Sequence, residues 1–120
     1  MQVSLNQLLT RARQQHFAVG AFNVYNLEGA LAVLGAAQKL KSPVMLQVLP
    51  AALAIGGRPL IALCRSAAKD AKIPVAVHLD HCVTQKDIFT ALSAGIGSIM
   101  ADGSAMTFEE NIRFTSKMVA

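Results

Sequence analysis

The sequence contains no tryptophan, one tyrosine and only 5% aromatic residues among its 120 positions. Its 11 Lys and Arg residues give a net charge of +4, but they are scattered and not interleaved with aromatic side chains. A nucleic-acid partner, which needs a basic stripe or a stacking platform, is therefore not expected. Two cysteines, Cys64 and Cys82, are too few and too far apart for a disulfide framework. No continuous apolar stretch follows the first charges, as it would in a secretory signal, so a reduced, cytoplasmic protein is expected. The longest uncharged run, residues 42–57, is broken by Pro43, Gln47 and Pro50 and is too short for a bilayer, so no membrane partner is expected. Neither a GxGxxG turn nor a GxxxxGKS/T loop is present, which leaves dinucleotide and P-loop nucleotide binding unsupported.

What the sequence does hold is material for a core: 53% hydrophobic against 15% charged residues, in a length that suits one domain over 1–120. Ser4 and Gln7 form a capping-box pair before Leu5, Leu8, Leu9 and Ala12, which share one helical face. AVGAFNVY at 18–25 is strand-like. Asn26 is placed to cap a helix over 27–40 with an apolar stripe of Ala30, Val33, Leu34 and Ala37. SPVMLQVL at 42–49 is a near-continuous apolar strand, the pattern of a parallel strand covered on both faces. Gly56 and Gly57 mark a turn, Pro59 suits a first helical turn, and Leu60, Leu63, Cys64, Ala67 and Ala71 follow at helical spacing. Cys64 thereby reads as a small buried hydrophobe. IPVAVHLD at 73–80 and GSIMAD at 97–102 are the third and fourth strands. Between them a helix opens at Thr84 and Asp87 and stops at Gly95, and Thr107 with Glu110 opens a last helix. The alternation predicts an α/β fold of parallel (β/α) units preceded by a short helix.

In parallel α/β folds the chemistry gathers at the carboxyl ends of the strands. The first end offers Asn23 and Asn26, the second Gln47, the fourth Asp102 and Ser104. The third is the unusual one, with His78, Asp80, His81 and Cys82. Residues two apart on a strand share a face, so His78 and Asp80 point one way and Leu79 the other, into packing. His81 is expected where strand becomes loop, from which it can turn back to the site. Two imidazoles and a carboxylate suit a metal or an acid/base role. A catalytic zinc usually takes three protein ligands, and the one remaining histidine, His16, precedes the first strand and belongs at the opposite end of the sheet.

HLDHC, followed by SIMADGS and FEEN, resembles the class II, zinc-dependent ketose-bisphosphate aldolases, which cleave fructose or tagatose 1,6-bisphosphate. AFNVYNLEGALAVLGAA, SPVMLQV and IPVAVHLDHC are similar to that family's first three strands, in one register over almost the whole chain. The resemblance implies four of the eight strands of a TIM-type barrel. It implies that Asp80 is the acid/base facing the aldehyde half of the substrate, that His81 is a ligand of a catalytic Zn2+, and that Asp102 lies at a second metal position. Asn23 and Gln47 would line the substrate pocket, and His78 would support the site from behind its ligands. Where many members carry a serine and a glycine after the second strand, this chain has Leu49 and Ala51, and Ile55 stands where a tyrosine is common. The family's remaining zinc ligands, phosphate-binding loops and second base belong to later strands.

The expected substrate is thus a phosphorylated ketose. The open sheet edges of a half-barrel predict a homo-oligomer, or a complementing chain that supplies the other half. Three readings stay open: an aldolase completed by a second polypeptide, a catalytically silent truncated remnant, or a self-associating, weakly metal-binding module.

Overall fold

The computed structural model describes residues 1–119. Ser4 caps the first helix, α1 (Leu5–Gln14), through a reciprocal pair of bonds: its Oγ accepts the Gln7 N–H, and Gln7 Oε1 accepts the Ser4 N–H, each at 3.2 Å. Then follow β1 (Gly20–Asn23), α2 (Leu27–Lys39), β2 (Val44–Val48), α3 (Pro50–Asp70), β3 (Val75–Cys82), α4 (Gln85–Ser93), β4 (Ile99–Ala101) and α5 (Phe108–Val119). The caps foreseen from sequence are in place. Asn26 Oδ1 accepts from Gly29 N–H at 2.9 Å, Thr84 accepts from Asp87 N–H, and Thr107 and Glu110 bond reciprocally. Gly95, at φ +85°, ends α4 in the left-handed conformation that glycine adopts without a Cβ penalty.

Two expectations on local structure are corrected. The helix expected to open at Pro59 begins nine residues earlier: residues 50–56 are helical, because Pro50 is preset for a first turn and Ala51, Ala52, Leu53 and Ala54 include strong helix formers with Leu53 buried. The turn at Gly57 survives as a kink inside α3, with φ 54° and ψ −152°, a region open essentially to glycine alone. The third strand does not stop at Asp80 but continues to Cys82, with a consequence for His81 described below.

The strands form one parallel sheet in the order β1-β2-β3-β4, each paired with its neighbour in sequence. Sequential order with a helix between each pair is the winding of a (β/α) barrel wall. The two faces of the sheet bury different things. Val44, Leu46, Val48, Val75, Val77 and Leu79 point outward into one large core with α2, α3 and α4, against which Phe114 and Met118 of α5 also pack. Met45 and Ala76 point the other way and meet Leu8 of α1, with Val3, Leu5 and Val19 around them. A parallel bridge of Gln2 to Val75 ties the segment before α1 to the start of β3. Helix α1 therefore covers the amino-terminal part of the inner face and leaves its carboxyl end open. No helix among the described residues is long and apolar enough to cross a membrane.

Candidate functional site

Strand register stacks the inner face in layers. Ala21, Met45 and Ala76 are mutual partners in one layer, and Asn23, Gln47 and His78 are partners in the next. The lower layer is apolar and lies over α1, while the upper is polar and faces the open end. Asp80 comes two residues further along β3, on the same face. Asn23 is exposed, Gln47 and Asp80 are half-buried, and His78 is buried.

His78 is held at Nδ1 and faces a carboxylate at Nε2. Nδ1 lies 2.8 Å from the Ser98 hydroxyl, just before β4, and Nε2 lies 3.8 Å from Asp80 Oδ1, beyond hydrogen-bond reach. Burial pushes the His78 pKa down, against an upward pull from Asp80 and with a smaller push down from His81, so its resting form is neutral.

Past Asp80 the ladder slips. Leu79 pairs with Ile99 and Cys82 with Ala101, so three steps on β3 oppose two on β4, a bulge of one residue. His81 takes the strain at φ 48°, a left-handed conformation tolerated better by His than by most residues. The slip reverses the alternation. Cys82, which regular spacing would place beside Asp80, is instead fully buried in the outward core. His81 reaches across to β4, its Nδ1 2.8 Å from Asp102 Oδ2. The bulge, not a strand end, turns this ring.

Asp102 is fixed in turn, its amide donating to Cys82 O at 2.9 Å and its Oδ1 accepting the Ser104 N–H at 2.9 Å. Its bonds to His81 and Ser104 bring its pKa down to about 2, and the same carboxylate, then Asp80, raises that of His81. An ionised carboxylate on Nδ1 selects the tautomer that leaves Nε2 bare for a cation, the arrangement of a carboxylate-oriented metal ligand. The ring is 58% exposed. The donor set thus fits one corner of a zinc site, but no cluster of three or more His, Cys, Asp or Glu placed to hold a metal occurs among the described residues.

The structure brings together Asp80, His81, Asp102 and His78, with Asn23 and Gln47 in the adjoining layer. Leu49 caps α3 without a side-chain bond, Ala51 is in its first turn, and Ile55 is 92% exposed. The cysteines offer no nucleophile: burial pushes Cys64 up to about 11 and raises Cys82 as well. Sequence reasoning missed Ser98. It opens the SIMADGS segment but lies 20 positions from His78, and only the pairing of β3 with β4, with Leu79 N–H on Ser98 O at 2.9 Å, makes them neighbours.

The family model described as "Fructose-bisphosphate aldolase class-II" matches residues 3–120. The fructose-bisphosphate aldolase of Thermus caldophilus is 42% identical over 113 residues, covering 94% of this chain and 37% of the relative. The D-tagatose-1,6-bisphosphate aldolase subunit GatY of Klebsiella oxytoca is 38% identical over 118 residues, covering 98% and 42%. Among solved structures, a putative fructose-1,6-biphosphate aldolase from Coccidioides immitis superposes with a TM-score of 0.90 at 41% identity, covering 96% of this chain and 41% of that one. The chain spans about two fifths of the length of these relatives.

Proposed function

Since the chain belongs to the class-II fructose-bisphosphate aldolase family, we propose that its four (β/α) units, as a single domain over 1–120, form one side of an active site for reversible aldol cleavage of a ketose 1,6-bisphosphate. The observation that carries this reading is the pairing, at the carboxyl end of β3, of a half-buried carboxylate with an exposed imidazole that Asp102 orients.

Asp80 is the general base in cleavage. It takes the proton of the substrate hydroxyl that becomes the aldehyde as the carbon–carbon bond breaks, and returns it in the condensation direction. His81 would hold zinc through its bare Nε2, and Asp102 keeps the ring in the tautomer and direction that this needs. Zinc, when bound, supplies Lewis-acid polarisation of the ketone carbonyl. Asn23 and Gln47, one layer below, offer amide donors and acceptors to the substrate's hydroxyls. Asp102 already accepts a bond on each carboxylate oxygen, which favours its role as the support of His81 over that of a second metal ligand. The remaining ligands and the phosphate-binding groups come from outside these four units, from further chain or from another polypeptide.

The test is complementation. The chain is mixed with the segment of the Thermus caldophilus relative that lies beyond the matched region, zinc is added, and cleavage of fructose and tagatose 1,6-bisphosphate is followed. Zinc-dependent turnover is expected for the mixture, reduced about 10²- to 10⁴-fold by Asp80→Asn. Turnover that is unchanged in that variant would remove Asp80 from the mechanism.

A further inference from the structure

We propose that Ser98 is a positioning residue for Asp80: its hydroxyl donates to His78 Nδ1 and so holds the Nε2–H of a neutral His78 toward the Asp80 carboxylate. The inference rests on the acid/base reading of Asp80, although its central measurement does not depend on turnover.

A neutral imidazole carries one proton, and the two His78 nitrogens face different groups. Nε2 lies 3.8 Å from Asp80 Oδ1. An ionised carboxylate is an acceptor only, so a bare Nε2 would set a lone pair against negative charge, whereas Nε2–H sets a positive hydrogen there. Nδ1 must then be the bare nitrogen. The group 2.8 Å from it is a hydroxyl, which either donates or accepts, and here it donates. The ring is 9% exposed, so water is poorly placed to substitute for either partner. Ser98 is itself fixed, since its carbonyl accepts the Leu79 N–H at 2.9 Å and ties its backbone to the residue between His78 and Asp80. Ser98 thus fixes the ring, and the ring sets its Nε2–H 3.8 Å from the Asp80 carboxylate, an electrostatic orientation of that group and not a hydrogen bond to it.

The test is long-range 1H–15N correlation on the 15N-labelled chain at neutral pH, where only His16, His78 and His81 contribute imidazole signals and a His78→Asn variant assigns its own. The expected wild-type pattern has Nε2 protonated and Nδ1 bare, with the Nδ1 resonance shifted by an accepted hydrogen bond. Ser98→Ala should abolish that shift, and Ser98→Thr, which keeps the hydroxyl, should restore it. In the complementation assay Ser98→Ala should lower kcat and leave KM unchanged. An Nδ1–H tautomer in the wild type, or His78 signals identical in Ser98→Ala, would overturn the proposal whether or not cleavage is observed. If cleavage proceeds at full kcat in Ser98→Ala, the hydroxyl has no positioning role.

Discussion

Leu79 separates the two faces of the sheet at the site. It sits between His78 and Asp80, yet its side chain is fully buried in the outward core while theirs turn inward. Truncation to alanine removes three carbons from a filled site. At about 0.8 kcal/mol per buried methylene, the transfer loss is roughly 2.4 kcal/mol. The residual cavity brings the total to about 3 kcal/mol, inside the range of about 2–5 kcal/mol for buried leucines. For a chain of this size about 4 °C of melting temperature accompanies each kcal/mol, so Leu79→Ala should melt roughly 12 °C lower. The assay is a thermal melt followed by circular dichroism, with urea unfolding to show an unchanged slope and a lower midpoint. Two controls fix the interpretation. Ile55→Ala, at 92% exposure, should fall within about 0.5 kcal/mol of the parent. Asp80→Asn should cost less than Leu79→Ala, because functional groups are seldom the ones that hold a fold together. A Leu79→Ala variant within about 1 kcal/mol of the parent would refute the division into a packed outer and a functional inner face.

The bond between His81 and Asp102 predicts a pH window. His81 is raised, so its share of stability is complete below its ordinary value of about 6.5 and is lost as pH rises through the folded value. Asp102 is lowered, so its share is present above about 3.9 and is lost as pH falls through about 2. Both act together between roughly pH 4 and 6.5. Asp102→Asn should move the His81 titration, followed by NMR, to lower pH, and an unmoved titration would exclude the bond. Ser4→Ala should cost about 1 kcal/mol, read as a lower urea midpoint, because it removes the cap of α1. Gly57→Ala should cost about 1–3 kcal/mol through backbone strain, and an unchanged melt would mean that the kink relaxes freely.

Much of the fold was legible because it rests on local rules. Period-two and period-3.6 patterns, four N-cap signals and the helix stop at Gly95 depend on neighbours within a few residues, and each is found where the sequence puts it. His78 and Asp80 sharing a face is equally local, a consequence of strand alternation. The start of α3 at Pro50 is masked in the sequence by the turn signal of Gly56 and Gly57, which points to a start at Pro59, while burial of Leu53 favours helix before it.

The order of elements, the end of the sheet that carries polar groups, and the family thus follow from local pattern and motif. Tertiary structure alone decided which groups meet. A one-residue slip between β3 and β4 sends Cys82 into the outer core and places His81 on Asp102, although alternation argued otherwise for Cys82. The same pairing brings Ser98 to His78 across 20 positions. Register is a property of two strands together, fixed by packing on both faces of the sheet, and no window on a single strand contains it.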